Sequence, residues 1–157
     1  MQIAQRLYEG IQVGSETTGL ITYMRTDGVQ MSSEAIFSLR DEIASIYGEQ
    51  YLPEKPRFYK TKAVNAQEAH EAIRPTSFNQ HPNDIRSYLD YDQFRLYDLI
   101  WKRSVASQMT SAEIDQTTIR FIDQDNSIEL RSNGSVIIFD GFRRAYFESK
   151  DETSDQD

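Results

Sequence analysis

The sequence predicts an α+β fold: a helix-rich module with a small sheet at residues 1–109, followed by antiparallel strands at 110–147. Apolar residues recur at helical spacing in two long stretches of the first part. From residue 114 onwards the pattern changes to short β-branched and aromatic runs, which are typical of strands. Residues 148–157 are mainly acidic, and we expect them to form a disordered tail.

Three helices of the first part are predicted from apolar spacing and from residues that favour helix ends. The first helix opens the chain and ends at Gly10. The second begins at a serine cap, Ser32 or Ser33, and ends before Gly48. The third spans about 92–108, and its aromatic stripe predicts core packing rather than a ligand site.

The second part of the chain predicts four short strands, at 114–122, 127–131, 135–139 and 142–147. Asn133-Gly134 is a favoured two-residue turn, so we expect a hairpin between the second and third strands. Asp125-Asn126 predicts a turn between the first two strands.

The composition limits the class of protein. The chain has 157 residues and no cysteine, so no disulfide framework exists and a reducing compartment such as a cytoplasm is expected. Uninterrupted apolar runs reach only about five residues, which is far short of a membrane span. We therefore expect no membrane partner.

The charge balance gives two opposing indications about nucleic acid. A formal net charge of −8 argues against a free-standing DNA binder, because phosphate neutralisation drives such affinity. Residues 55–62 are locally basic and contain two aromatic residues: Lys55, Arg57, Phe58, Tyr59, Lys60 and Lys62. This stretch is either a DNA-tracking segment with a stacking face or a solvated loop. On the first interpretation, Lys60 and Lys62 contact DNA.

Residues 19–28, here called the tyrosine motif, read GLITYMRTDG and carry the most informative chemistry. Tyr23 and Arg25 would share one face of the strand predicted at 20–24. A guanidinium beside a phenol favours the phenolate and can also bind a phosphate, so the pair suits phosphoryl transfer to tyrosine. The alternative is a strand tyrosine that only packs, with Arg25 as its solvated neighbour.

Residues 66–76, here called the histidine motif, read AQEAHEAIRPT and predict a short helix that Pro75 ends. His70 and Arg74 would share one helix face and could bind a phosphate together. A zinc site of the HExxH type would need a second histidine where this chain has Arg74. The alternative for His70 is a surface or capping residue.

The two motifs, in this order, resemble those of the bacterial type IA DNA topoisomerases, specifically the topoisomerase I enzymes. The resemblance extends to MQIAQRLYEG at the start, LYDLIWKRSVASQMT at 96–110 and SVIIFDGF at 135–142. It implies that Tyr23 attacks a DNA phosphodiester and becomes linked to the 5′ phosphate of the cut strand. It also implies that Arg25 positions the tyrosine and the phosphate, and that His70 contacts the phosphate near the cleavage point.

The resemblance also implies a domain organisation. Residues 1–109 would be the tyrosine-bearing gate domain, with a winged-helix-like fold. Residues 110–147 would be antiparallel strands of a partial arch or hinge domain, and the remaining domains of the parent chain would be partners. We expect Arg74 to bind DNA, and we expect three neighbouring residues to support the site: Thr26, Asp27 and Glu71.

Members of the family use Mg²⁺, held in a separate domain by a glutamate and a DxDxE cluster, and nothing in this chain fits that domain. Asp123, Asp125 and Glu129 come nearest but have the wrong spacing. We therefore expect no metal ligand here, Mg²⁺ only in the parent enzyme, and no activity of this fragment alone.

The resemblance implies an ATP-independent isomerase that cuts one strand, passes a strand and religates, relaxing negative supercoils. Its partner would be single-stranded DNA segments on the bacterial nucleoid. Two alternatives stay open from the residues: a winged-helix-like module that binds nucleic acid without cutting it, and a structural interaction domain in which Tyr23 only packs.

Overall fold

A computed structural model describes residues 1–59, 70–125 and 127–146. Its helices are α1 (Gln2–Glu9), α2 (Ser33–Tyr47), α3 (Pro82–Ile85) and α4 (Tyr91–Gln108). Its strands are β1 (Ile11–Val13), β2 (Glu16–Thr18), β3 (Glu113–Ile122) and β4 (Glu129–Phe139). Short 3₁₀ turns cover Glu49–Tyr51, Arg86–Tyr88 and Gly141–Arg144. The predicted α+β fold is confirmed.

Helices α2 and α4 begin and end at residues that satisfy their terminal backbone groups. The Ser32 hydroxyl accepts a hydrogen bond from the Ala35 N–H at 3.2 Å, and Gly48 ends α2 with a φ of 100°. Asp90 and Gln93 form a reciprocal capping box at the start of α4. Helices α1, α2 and α4 confirm three of the predicted helices, and α3 is an additional short one.

The hydrophobic core is built around α4, on which α1, α2 and α3 pack. Trp101 and Tyr97 are its largest fully buried side chains. The Trp101 indole N–H donates to the Phe78 carbonyl at 3.2 Å, and the Tyr97 hydroxyl donates to the Gln80 carbonyl at 2.8 Å. Burial raises the pKa of Tyr97, so the phenol stays neutral. The aromatic stripe is core, as predicted.

The second part of the chain forms one long two-stranded ribbon, which corrects two predictions. Asn133 lies opposite Thr118 and Gly134 opposite Thr117, so this dipeptide is inside β4 and not in a turn. The hairpin connection lies instead between Ile122 and Glu129, where the first turn was predicted. The strand predicted at 142–147 is also wrong, because a 3₁₀ turn covers Gly141–Arg144.

Contacts at one end of the ribbon join it to the helical module. The Tyr51 hydroxyl donates to the Asp140 carboxylate at 2.7 Å, and its ring packs on Phe139 with centroids 5.0 Å apart. Thr110 donates its N–H to the Tyr51 carbonyl at 2.8 Å. The two strands beyond this junction expose their side chains on both faces.

Two predictions concern residues that the structure does not describe. The expected acidic tail at 148–157 lies outside the described residues, and so do Lys60 and Lys62.

Among the helices of the described part, none has the length and apolar character that a membrane crossing requires.

Candidate active site

The tyrosine and histidine motifs lie side by side and are joined by backbone hydrogen bonds. Ile21 forms an isolated antiparallel bridge with Pro75. The Thr22 N–H donates to the Arg74 carbonyl at 2.9 Å, and the Thr22 hydroxyl donates to the Ala72 carbonyl at 2.7 Å. Residues far apart in sequence are thus brought into one site.

This pairing corrects two secondary-structure predictions. The strand predicted at 20–24 is reduced to the single bridge at Ile21, because the partner Pro75 has no N–H to extend a ladder. Residues 70–74 are not helical, since their backbone groups bond to other segments: Ala72 donates its N–H to the Gln30 carbonyl at 2.8 Å. The rest of the predicted helix, at 66–69, lies outside the described residues.

The Tyr23 ring lies at the surface between two other aromatic rings. Its side chain is 44% exposed. The His70 ring lies 5.3 Å away between centroids, and the Tyr8 ring lies 5.4 Å away in an edge-to-face arrangement. Because two rings hold the phenol while leaving it open to solvent, a large substrate can reach it.

Helix α1 brings Tyr8 to this place through a close backbone approach. The Leu20 N–H donates to the Leu7 carbonyl at 2.7 Å, which ties the end of α1 to the start of the tyrosine motif. A Cβ atom at Gly19 would lie 2.6 Å from the Tyr8 carbonyl oxygen. Only glycine allows this approach, so the motif's first residue helps to set the position of α1.

Arg25 lies two residues beyond Tyr23 and is paired with Asp27. Their side chains approach to 2.7 Å between Arg25 Nε and Asp27 Oδ2. Both Asp27 carboxylate oxygens are buried, and no described group gives either one a well-aligned hydrogen bond. We attribute the pairing mainly to charge attraction, which restricts the orientation of the Arg25 guanidinium.

Arg74 and Glu71 form a network that connects the histidine motif to α2. Arg74 donates from Nε and Nη2 to Glu71 Oε2 at 3.0 and 2.6 Å, and from Nη1 to the Pro75 carbonyl at 2.9 Å. Glu71 Oε1 accepts the Ser32 N–H at 2.9 Å. The Arg74 side chain is only 13% exposed. These contacts give Arg74 a structural task beside any contact with DNA.

Thr26 and Gly28 line a cleft of about 340 Å³ beside the two motifs. Ile73 and Arg103 form part of its other wall. A Cβ atom at Gly28 would lie 2.3 Å from the His70 carbonyl oxygen, so the bare glycine backbone lets the two motifs approach each other.

The described part of the basic stretch packs against the end of α4. Gln108 exchanges two hydrogen bonds with the Arg57 backbone, at 3.1 and 2.8 Å. The Tyr59 hydroxyl donates to the Ser107 carbonyl at 2.6 Å, whereas the Phe58 ring is highly exposed. The stretch is therefore anchored, with one exposed aromatic face.

The described residues do not fit a magnesium ion. They contain no group of three or more histidine or acidic side chains able to hold a metal. Asp123 is one of the acidic residues whose spacing does not match DxDxE. It accepts hydrogen bonds from Ser127 and Ile128. The Ser127 hydroxyl is the largest cause of a lowered pKa of the Asp123 carboxyl.

Comparison with known proteins decides the family. The sequence model of the DNA topoisomerase family matches residues 1–157. The chain belongs to this family. The match covers the whole chain, so the site described above lies in a segment of a DNA topoisomerase family member.

Individual relatives agree. DNA topoisomerase 1 of Rickettsia bellii is 50% identical over 157 residues, which cover 100% of this chain and 20% of that protein. DNA topoisomerase 1 of Xylella fastidiosa is 48% identical over 158 residues, covering 100% of this chain and 19% of that protein. The chain spans about a fifth of the length of these relatives.

A solved structure supports the fold of this topoisomerase segment. Full-length topoisomerase I from Thermotoga maritima matches with a TM-score of 0.79 and 35% sequence identity. The match covers 96% of this chain and 23% of that one.

Sequence reasoning missed two features of the site. Tyr8 lies in the opening helix, and nothing in the local sequence pattern indicates that it contacts Tyr23. The Thr22 hydroxyl was also overlooked, although a threonine beside the key tyrosine is a candidate for bonding a neighbouring backbone.

Proposed function

We propose that this chain is the tyrosine-bearing part of a type IA DNA topoisomerase. The observation that carries the proposal is the exposed Tyr23 ring, held beside His70 where the two motifs join. With the residue 44% exposed, a large substrate can reach the Tyr23 ring. The two motifs that meet at this ring are those in which the chain resembles the family, which favours a catalytic role over packing alone.

In the proposed reaction, the Tyr23 hydroxyl oxygen attacks the phosphorus of a DNA phosphodiester and loses its proton. The new bond links the tyrosine to the 5′ phosphate, and the 3′ oxygen of the other end leaves and takes up a proton. Religation reverses each step after strand passage. Because the phosphotyrosine keeps the energy of the broken ester bond, religation needs no ATP. The strand passage between cleavage and religation relaxes negative supercoils.

Arg25 is proposed to stabilise the charge that develops on the phosphate, with Asp27 fixing its orientation. A guanidinium suits this task because it can bind phosphate oxygens through two parallel hydrogen bonds. His70 is proposed to contact the same phosphate, a role supported by its ring lying 5.3 Å from the Tyr23 ring between centroids. Thr26 supports the site from the adjoining cleft.

DNA contacts beyond the reacting phosphate are assigned to the basic residues. Lys60 and Lys62, which come shortly after the exposed Phe58 in sequence, are proposed to contact the backbone of a single-stranded segment. Arg74 is also proposed to bind DNA, while its hydrogen bonds with Glu71 hold the histidine motif at the start of α2.

We also propose the domain roles that the resemblance implies, with residues 1–109 as the winged-helix-like gate domain and 110–147 as part of the arch. An isolated two-stranded hairpin is at best marginally stable. The ribbon nevertheless exposes apolar side chains on both strands, including Ile119, Phe121, Leu130, Val136 and Ile138. The other domains of the full-length protein are proposed to cover them.

Magnesium is proposed to act only in the full-length protein. When bound there, it would supply electrostatic stabilisation of the phosphate charge. Since the described residues offer it no site, the chain alone should fail to relax supercoiled DNA. In the cell, the full-length enzyme is proposed to act on the nucleoid in the cytoplasm.

The test is to trap the covalent intermediate. The full-length protein is mixed with a labelled single-stranded oligonucleotide, denatured and digested, and the labelled peptide is sequenced by mass spectrometry. The proposal predicts that the label maps to Tyr23. A label on another residue, or relaxation without any trapped adduct, would overturn it.

A further inference from the structure

The Tyr8 ring contacts the proposed nucleophile directly from another helix. It meets the Tyr23 ring at 5.4 Å between centroids, with the planes at 69° to each other. This edge-to-face geometry is one of the favoured arrangements of aromatic pairs. The Tyr23 ring therefore touches Tyr8 as well as His70, whose ring plane is tilted by 41°.

The position of Tyr8 is fixed by backbone rather than by its own side chain. Helix α1 ends at Glu9, and its Leu7 carbonyl accepts the Leu20 N–H. Leu7 itself is fully buried in the core. The Tyr8 ring is thus carried by a rigid element that is bonded to the same motif that carries Tyr23.

We propose that Tyr8 is a positioning residue for Tyr23, which restricts the rotation of the phenol ring so that its hydroxyl faces the phosphodiester. This inference rests on the proposed function of Tyr23. Without an aromatic edge at position 8, the ring of a 44%-exposed tyrosine gains rotational freedom, and fewer of its orientations can attack.

Base stacking is an alternative role for the Tyr8 ring, and it predicts a different experimental result. The ring is 42% exposed, so it could instead stack on a DNA base next to the cleavage point. A stacking role would weaken DNA binding, whereas a positioning role would slow cleavage of DNA that is already bound. Affinity and cleavage rate measured separately decide between them.

The experiment uses the full-length protein with saturating labelled oligonucleotide, and compares Tyr8→Leu, Tyr8→Phe and Tyr88→Leu. Tyr88 is a matched control, because it is 45% exposed and its ring does not contact Tyr23 in the described structure. Tyr8→Leu should slow single-turnover cleavage about 2- to 12-fold, the scale of one aromatic pair. Tyr8→Phe should restore most of the rate, because it keeps the ring edge.

Oligonucleotide affinity should be unchanged in Tyr8→Leu, measured with the non-cleaving Tyr23→Phe background. Unaltered cleavage in Tyr8→Leu, or a loss confined to affinity, would overturn the inference. A rate lost equally in Tyr8→Leu and Tyr8→Phe would also overturn it, since the hydroxyl and not the ring edge would then matter. If Tyr23→Phe itself still forms an adduct, the proposed function fails instead.

Discussion

The side-chain oxygen of Thr22 accepts a hydrogen bond from the backbone N–H of Arg74 at 3.0 Å. The same hydroxyl donates to the Ala72 carbonyl at 2.7 Å. One side chain of the tyrosine motif thus satisfies two backbone groups of the histidine motif. Because Thr22 adjoins Tyr23 in sequence, this contact helps to set the position of Tyr23, the proposed nucleophile, relative to His70.

Replacing Thr22 by valine should loosen the junction of the two motifs. The valine keeps the shape but leaves the Arg74 N–H and the Ala72 carbonyl without this partner, at a cost of about 1–3 kcal/mol. Hydrogen exchange followed by mass spectrometry should show faster exchange at 19–22 and 70–76. Thr118→Val is the control, because the Thr118 hydroxyl bonds Asn133 on the exposed ribbon. Equal exchange in wild-type and Thr22→Val protein would contradict the role given to Thr22.

Arg25→Lys should slow DNA cleavage although the positive charge is kept. A lysine cannot form the two parallel hydrogen bonds to a phosphate that a guanidinium forms. Loss of one charge-assisted hydrogen bond corresponds to about ten- to a hundredfold in rate. The measurement is the single-turnover rate of adduct formation, with the exposed Arg95→Lys as control. Full activity of Arg25→Lys would show that charge alone is sufficient at this position.

His70→Ala should weaken DNA binding near the reacting phosphate by about tenfold, and should leave the covalent reaction detectable. His70→Phe separates the two contacts of this residue, because it keeps a ring beside Tyr23 but cannot bond a phosphate. We expect both variants to lose affinity for a labelled oligonucleotide in fluorescence anisotropy. Wild-type affinity in His70→Phe would mean that His70 acts by packing on Tyr23.

The turn of the ribbon should depend on pH through Asp123. Hydrogen bonds from Ser127 and Ile128 lower the pKa of the Asp123 carboxyl in the folded state. The contribution to stability is therefore present above the unfolded value of about 3.9, and is lost as the pH falls through the lower folded value. NMR titration of the Ser127 and Ile128 amides should give a midpoint below about 3.9, and Asp123→Asn should abolish the transition. A midpoint above that value would contradict the assignment.

Local sequence signals predicted the helices because their end residues act locally. The Ser32 cap and Gly48 define α2, and no distant contact is needed to recognise them. The turn predicted at Asn133-Gly134 was wrong for the opposite reason. Its turn preference is local, but the long register of β4 against β3 places both residues in the ladder, and cross-strand pairing outweighs one favoured turn.

The candidate site was only partly predictable for the same reason. The sequence indicated Tyr23 and His70, and the structure brings their rings together. The sequence also predicted a helix around His70, but the backbone groups of residues 70–74 form hydrogen bonds with other segments. The Tyr8 contact depends on how α1 packs, which residue spacing within α1 does not specify.

The Tyr23→Phe variant of the full-length protein tests whether the Tyr23 hydroxyl attacks DNA. The ring remains to pack on Tyr8 and His70, so circular dichroism and oligonucleotide affinity should match the wild type. We expect the labelled protein–DNA adduct to disappear completely from denaturing gels. If the Tyr23→Phe protein still forms the adduct, Tyr23 is not the attacking residue.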